Sequence, residues 1–416
     1  MKSPIHPDEA LARVLEHARA QAPSIEDVPL ADALGRVLTR SLLSLVDQPP
    51  FAKAAVDGFA FRQHADGGDE TAYRVTAVVR AGQKAPALQP GEAVRIMTGA
   101  PVPENADGVQ RVEWTRHEGD QVWFLKRESA SNIIARGENA RQKEPLMTPR
   151  VLMPQDLGVL AACGYARVPA ARRPRVAVIS TGDEIRPACI ADPADPDAFS
   201  RAEAELGAAS IFDSNGPQLT ACAAAFGADA RFLGIVPDDE ERIRDAISRA
   251  LDAFDAVVVS GGVSMGDFDH IPAAAARAGV TTVFHGVRMR PGMPAFFGVR
   301  GPAAFFGLPG NPVSTFVHAL LLLEPYLKAR MGLIDVPAPR VPVTLASKLS
   351  RKKGENVQFW PVRIRWPEGT AEPLSYHGSS MITVLAGTDA LIRMEEGQTE
   401  IPPGAIVHAR LVRPHH

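Results

Sequence analysis

Cysteine is scarce in this chain: Cys163, Cys189 and Cys222 are the only three in 416 residues. They are odd in number and far apart, with neither a C-x-x-C pair nor a disulfide framework, which fits a reducing compartment. Long apolar runs are missing as well. The densest, Leu320 to Leu323, is far too short to span a bilayer, and the opening MKSPIHPDEALARV has no apolar signal core. Neither sign of charge dominates, with 45 Lys and Arg against 48 Asp and Glu and a formal net charge of −3. That balance gives no global reason to meet nucleic acid or an acidic membrane, so a polyanionic ligand must be held by local basic residues. There is no P-loop, no H-E-x-x-H and no G-x-S-x-G. No histidine cluster has metal-ligand spacing, His415 and His416 read as a tail, and nucleophilic catalysis through Ser or Cys is poorly supported. The expectation is a cytoplasmic protein, an enzyme or a binding scaffold, without membrane or nucleic-acid partners.

What is present is size and a clear change of texture along the chain. At this length one hydrophobic core does not suffice, and two to four domains are expected. Pro7-Asp8-Glu9 opens a helix with Leu11, Val14, Leu15 and Ala18 on its apolar face. Leu30 to Leu43 reads as a second helix, stopped by Asp47-Gln48-Pro49-Pro50. From Phe51 to about Lys143, short β-rich runs separated by glycine and proline read as a small all-β domain. Met153 to Leu160 returns to helix. The β domain (51–143) is therefore expected as an insertion between two halves of a split helical domain, 1–50 and 144–172.

Beyond Arg172-Arg173-Pro174 the pattern is strand, loop and helix repeated. Strands at Arg175–Ser180, Arg231–Val236, Val257–Val259, Thr281–Phe284 and Ala303–Phe306 alternate with helices at Asn215–Phe226, from Asp238, and at Val313–Arg330. Asp238 with Glu241 has capping-box spacing. These units argue for a doubly wound, mainly parallel α/β domain over 173–334. Ala188 to Ala209, a low-complexity patch rich in Ala, Asp and Pro, reads as a mobile surface excursion. A β-rich C-terminal domain, 335–416, follows the proline-rich stretch Asp335 to Pro342. The fold class is thus multidomain α/β and β.

The most informative stretch is Val257 to His270, VVVSGGVSMGDFDH. A buried strand empties into Ser260-Gly261-Gly262 and a turn carrying Ser264, Gly266, Asp267 and Asp269. A glycine-rich turn between strand and helix suits an anionic group, and strand carboxyl ends are where open α/β sheets bind ligands. The acidic residues in that turn point to a divalent cation arriving with the anion. Ser180-Thr181-Gly182-Asp183-Glu184 follows another strand, making Glu184 a candidate metal ligand or ligand contact; a plain turn explains it as well. Asp213-Ser214-Asn215-Gly216 begins a helix, as a cap or as a ligand contact. Leu308-Pro309-Gly310-Asn311-Pro312 fixes the backbone before a helix, with Gly310 permitting close approach. Arg288 and Arg290, ahead of a Pro-Gly turn, could neutralise an oxyanion or form a solvated loop. Asp57-Gly58 has the sequence of a tight turn, and Thr98 by itself has no claim to chemistry.

Together, AAVDGFA (54–60), RIMTGAPVPENAD (95–107), STGDEI (180–185), DSN (213–215), SGGVSMGDFDH (260–270), RPGMP (290–294) and GLPGNPVS (307–314) occur in the order found in molybdopterin molybdenumtransferases. The chain resembles this family, that of MoeA and the gephyrin E-domain, over nearly its whole length, with a MogA-like α/β domain. The resemblance implies binding of adenylylated molybdopterin, cleavage of its pyrophosphate and insertion of molybdate into the dithiolene, with release of AMP. It implies a magnesium ion and an elongated homodimer, with the adenylyltransferase and acceptor molybdoenzymes as further partners. Carried over, Glu184, Asp213 and Asp269 sit around the pterin, pyrophosphate and cation, with Ser260, Gly261, Gly262, Ser264 and Asn311 alongside. Pro309 and Pro312 shape the pocket, and Asp57 and Thr98 reach in from the other subunit. Arg290, Ser314 and Ser379 are expected on the substrate.

Three departures from the family pattern stand out. A K-P-G-K-P turn is replaced by Arg290-Pro291-Gly292-Met293-Pro294, and a methionine cannot bind an oxyanion. An acidic residue of a G-E-D stretch is Asn139, and a Gly-Arg pair is Gly354-Glu355; Lys352, Lys353 or Arg363 are candidates to compensate. A charge-assisted contact to a buried anion is worth about 1.5–3 kcal/mol. The alternative reading is therefore a divergent paralogue that carries molybdopterin or finished cofactor without inserting metal.

Overall fold

The computed structural model of the chain describes residues 3–65, 72–189, 194–263, 270–333 and 340–413. It divides into two compact units, Met1–Glu26 with Ala171–His416, and Asp27–Ala170.

The larger unit is built on a six-stranded sheet in the order 229–236, 175–181, 256–260, 303–308, 296–300, 281–285. The first four strands are parallel, and 296–300 alone runs the other way, antiparallel to both of its neighbours. Ala256–Ser260 is central and buried at every residue. Ala256 and Val258 enter the core on one face, Val257 and Val259 that on the other. A strand covered on both faces has no polar side, hence its unbroken apolar run. Helices Glu240–Ala253 and Ile271–Arg277 cover one face. Asp239, not Asp238, caps the first of these: its side chain accepts from the Arg242 amide at 2.8 Å.

The other face is covered by Asn215–Ala225, by the helix running from Pro312 to Arg330, and by Pro7–Arg19. Ala10, Val14 and Ala18 form the wholly buried stripe of Pro7–Arg19 and share a core with Phe297, Phe306 and Tyr326. The first helix therefore belongs to the α/β unit, not with the 144–172 half as expected. The helix 312–330 widens into a π-type turn at Ala319–Leu323. The buried Arg410 guanidinium donates to the Leu320 carbonyl there and to Glu324. The C-terminal strands 340–345, 357–365, 370–373, 390–394 and 406–411 form a sheet that closes on itself by pairing 357–365 with 390–394, and Met289–Arg290 adds to its edge. Within 188–209, read from the sequence as a surface excursion, lies a helix, Ala198–Leu206, with no buried residue.

The smaller unit carries a six-stranded sheet in the order 108–111, 58–61, 92–96, 72–79, 121–124, 115–118. Residues on either side of it in sequence share one core, including Val28, Leu38, Leu42, Met147, Leu152, Leu160 and Val168. The helix expected at Leu30–Leu43 does not form: only Leu30–Asp32 makes a helical turn, and Leu42–Leu43 is a strand. Gly35 has a φ of +71°, and the amides of Gly35 and Leu38 donate to Leu152 and Arg150 carbonyls. Tertiary backbone pairing overrides the helical spacing of Leu34, Val37 and Leu38. Among the described residues no helix is long and apolar enough to cross a membrane.

Candidate functional site

The parallel strands of the larger unit end along one edge, at Thr181, Val236, Ser260 and Leu308. A polar network ties these ends together. Asn215 donates to Ser260 Oγ at 2.8 Å and to the Gly310 carbonyl at 2.7 Å. Ser260 Oγ donates to the Pro309 carbonyl at 3.3 Å, and Thr181 Oγ1 to the Ser260 carbonyl at 3.3 Å. Gly261 has a φ of +105°, and a Cβ there would lie 2.7 Å from both Thr181 O and Oγ1. Only glycine lets the chain turn off the strand at this point.

Three adjoining clefts run from this edge. The first, about 330 Å³, lies over the strand ends beside Ser180, Glu184, Asp213, Asn215 and Asp238. It shares Gly262, Gly310 and Asn311 with a second, about 270 Å³, that also meets Met293, Pro309 and Ser314. The second shares Gly292, Met293 and Ser379 with a third, about 460 Å³, walled by Arg290, Asn356, Trp360 and Tyr376. The result is one trough.

Its two ends differ in charge. At the first, burial and then the neighbouring Glu184 and Asp183 carboxylates push the Asp238 carboxyl above its ordinary range. Acids held in this way favour a cation between them. Asp213 is engaged differently: Oδ2 accepts from Ser180 Oγ at 2.8 Å and Oδ1 from the Gly216 amide at 3.0 Å. Both oxygens thus secure the start of helix Asn215–Ala225. Among the described residues no three His, Cys, Asp or Glu side chains form a metal cage. At the far end Arg290 is the charged wall residue, and Arg351 lies near enough for the two like charges to interact. Arg351 also donates to the Asn356 carbonyl.

The expected site residues are gathered as follows. Glu184, Asp213, Ser260, Gly261, Gly262 and Asn311 line the first cleft; Pro309, Ser314 and Ser379 line the second; Arg290 lines the third together with Ser379. Pro312 lines none of them and starts the helix Pro312–His318. Ser264 and Asp269 fall outside the described residues. Asp57 and Thr98 lie in the smaller unit and bond each other: Asp57 Oδ1 accepts from the Thr98 amide at 2.6 Å and hydroxyl at 2.8 Å. Those two bonds hold the exposed Asp57 carboxyl below its usual range.

Sequence reasoning missed Asp238, read only as the opening of a helix, though it follows the end of strand Asp229–Val236. It also missed Trp360 and Tyr376, aromatic residues of the C-terminal segment that carry no local sign of a ligand. Of the departures, Met293 is 47% exposed and lines two clefts. Glu355 faces Lys353 at 3.8 Å on the surface. Asn139 belongs to the smaller unit, where its amide donates to the Gln48 carbonyl at 2.9 Å. Lys352, Lys353 and Arg363 are not among the residues lining the third cleft.

Comparison with known proteins gives a consistent result along the whole chain. Residues 5–164 match the MoeA N-terminal region (domain I and II). Residues 177–329 match a probable molybdopterin binding domain, and 342–412 the MoeA C-terminal region (domain IV). A molybdopterin molybdenumtransferase of Bacillus subtilis (strain 168) is 32% identical, over 99% of this chain and 95% of that protein. One from Synechococcus elongatus is 33% identical, over 94% of this chain and 96% of that protein. The crystal structure of a molybdopterin biosynthesis MoeA protein from Pyrococcus horikosii superposes with a TM-score of 0.80 at 28% identity, covering 99% of this chain and all of that one.

Proposed function

The chain belongs to the MoeA family of molybdopterin molybdenumtransferases, enzymes of molybdenum cofactor biosynthesis, and from that premise we propose its reaction: it inserts molybdate into adenylylated molybdopterin and releases AMP. The observation that carries this reading is the continuity of the trough. An acidic end, a glycine-lined middle and an arginine end adjoin one another through shared wall residues. A substrate with a diphosphate between two organic groups needs that sequence of environments, and the incoming oxyanion needs the third.

The residues divide the work by chemistry. Gly261 and Gly262 let the backbone approach the diphosphate closely. Asn215 and Ser260, locked to the Gly310 and Pro309 carbonyls, keep the two loops at a fixed separation. A divalent cation fits the donor set: Glu184 and Asp238 offer oxygen ligands. Magnesium suits such a set, because it keeps its waters and binds through one or two carboxylates together with substrate phosphates. When bound, it screens the diphosphate charge. Arg290 attracts the molybdate, the nearby Arg351 adding to the positive charge at this end, and Ser314 and Ser379 border its path. In the homodimer we propose, the ionised Asp57, held by Thr98, comes from the second subunit.

The test supplies adenylylated molybdopterin, magnesium and molybdate, and follows AMP release together with cofactor formation. Molybdate-dependent AMP release supports the reading. Tight pterin binding without AMP release would replace it with the carrier reading.

A further inference from the structure

The turn Arg290-Pro291-Gly292-Met293-Pro294 borders both the second cleft and the third, since Gly292 and Met293 line both. Wherever this turn sits, it sets the shape of the oxyanion half of the trough. The turn is held from below by His318, which is 0% exposed and whose Nε2 lies 2.6 Å from the Gly292 carbonyl oxygen. A carbonyl oxygen only accepts, so Nε2 carries the proton and the ring is the Nε2–H tautomer. Nδ1 is then a bare lone pair, buried and without a partner among the described residues. Burial keeps the imidazole neutral by pushing its pKa down to about 4.

The packing around the turn is equally close. Gly292 has a φ of +90°, and a Cβ there would stand 2.8 Å from Ser314 Cβ and 3.0 Å from His318 Nε2. Ser314 and His318 are four residues apart, on one face of their helix, and the turn lies directly on that face. The Ser314 hydroxyl, 1% exposed, borders the second cleft and has no partner among the described residues. An imidazole buried with one nitrogen unpaired is unfavourable for the fold by itself. An apolar side chain would fill the same space without that penalty. What only the imidazole supplies is a donor fixed under the Gly292 carbonyl.

We propose that His318 is a positioning residue for the oxyanion half of the site: its Nε2–H pins the Gly292 carbonyl and fixes the distance of the 290–294 turn from Ser314 and Ser379. The Gly292–Met293 peptide is trans, so the Met293 amide points opposite to the pinned carbonyl, away from the helix. The geometry of the turn is thereby set by a neutral group, with no charge added to the trough. This inference rests on the reading that the trough binds molybdate.

The experiment compares wild type, His318→Leu and His318→Gln in the AMP-release assay, varying molybdate and adenylylated molybdopterin separately. His318→Leu should raise the KM for molybdate about tenfold, the scale of one lost buried hydrogen bond. Its KM for the pterin nucleotide should stay within about twofold of wild type. His318→Gln should restore the molybdate KM, because its amide nitrogen reaches the place of Nε2. An unchanged molybdate KM in His318→Leu overturns the proposal. So does an equal rise in both variants, or a joint rise for both substrates. Should His318→Leu fail to fold, the ¹⁵N imidazole spectrum of the wild type decides. The Nε2–H tautomer at neutral pH supports the clamp, and the Nδ1–H tautomer or an imidazolium overturns it. A wild type without molybdate-dependent AMP release defeats the functional reading instead, and the spectrum still tests the clamp.

Discussion

Asp213 separates a structural role from a metal-binding one, and the two make different predictions. Its carboxylate accepts from the buried Ser180 hydroxyl and from the Gly216 amide. Asp213→Ala leaves both donors without a partner. Losing the cap costs about 0.5–2 kcal/mol, and an orphaned buried donor about 1–3 kcal/mol. Allowing for overlap, a local destabilisation of about 1.5–3 kcal/mol should speed hydrogen exchange at the Gly216 amide by about ten- to a hundredfold. Asp213→Asn is the informative partner. Its carbonyl can accept from Gly216, and Ser180 can rotate to accept from its amide, so protection should be largely kept although the negative charge is gone. Measured without magnesium, exchange should therefore be fast in Asp213→Ala and near wild type in Asp213→Asn. If Gly216 stays protected in Asp213→Ala, and both variants instead lose magnesium binding to the same degree, the capping argument is wrong and Asp213 is a ligand.

Four further outcomes follow from the geometry. Met293→Lys puts a second cation on the turn shared by two clefts; because the position is half exposed, the gain is about 1 kcal/mol or less, and the molybdate concentration for half-maximal AMP release should fall by up to about fivefold. Asp238→Asn removes a carboxylate whose folded pKa is raised. That cost is felt above the raised value and is absent in acid, where the carboxyl is protonated folded and unfolded alike. The variant should therefore melt slightly higher than wild type at neutral pH without magnesium, gain nothing in acid, and show a smaller magnesium-induced rise. Thr98→Val takes away the hydroxyl bond to Asp57, whose low pKa means the pairing holds above the ordinary carboxylate range and is lost as pH falls through the depressed value; a ¹³C titration of Asp57 should move back toward that range. Glu324→Ala strands the buried Arg410 guanidinium, now 2.6 Å from Glu324, and should cost about 3–5 kcal/mol in urea unfolding.

The sequence was most readable where local signals and tertiary burial agree. The strand Ala256–Ser260 is apolar throughout because both of its faces are covered, and the glycines after it mark the turn over the first cleft. Motif order identified the family, and of the residues quoted from those motifs Glu184, Asp213, Ser260, Gly261, Gly262, Arg290, Pro309, Asn311 and Ser314 line the three clefts, while Asp57 and Thr98 belong to the smaller unit. Leu30 to Leu43 misled because its helical spacing coincides with a core-facing set whose backbone bonds go to residues 150–152 and 169. No local pattern reports such distant pairing. Asp238 was hidden by its position near a helix start, where an acidic residue is usually read as a cap. His318 was unreadable for a different reason. A lone histidine in an apolar helix says nothing until the turn it supports, 26 residues earlier, is seen lying on it.

The most direct measurement is a crystal structure with adenylylated molybdopterin bound. The diphosphate should lie in the cleft over Gly261 and Gly262, with Glu184 and Asp238 on its cationic side and the pterin directed along the trough toward Arg290. A nucleotide lodged away from that strand edge, or a diphosphate turned toward the C-terminal sheet, would contradict the account.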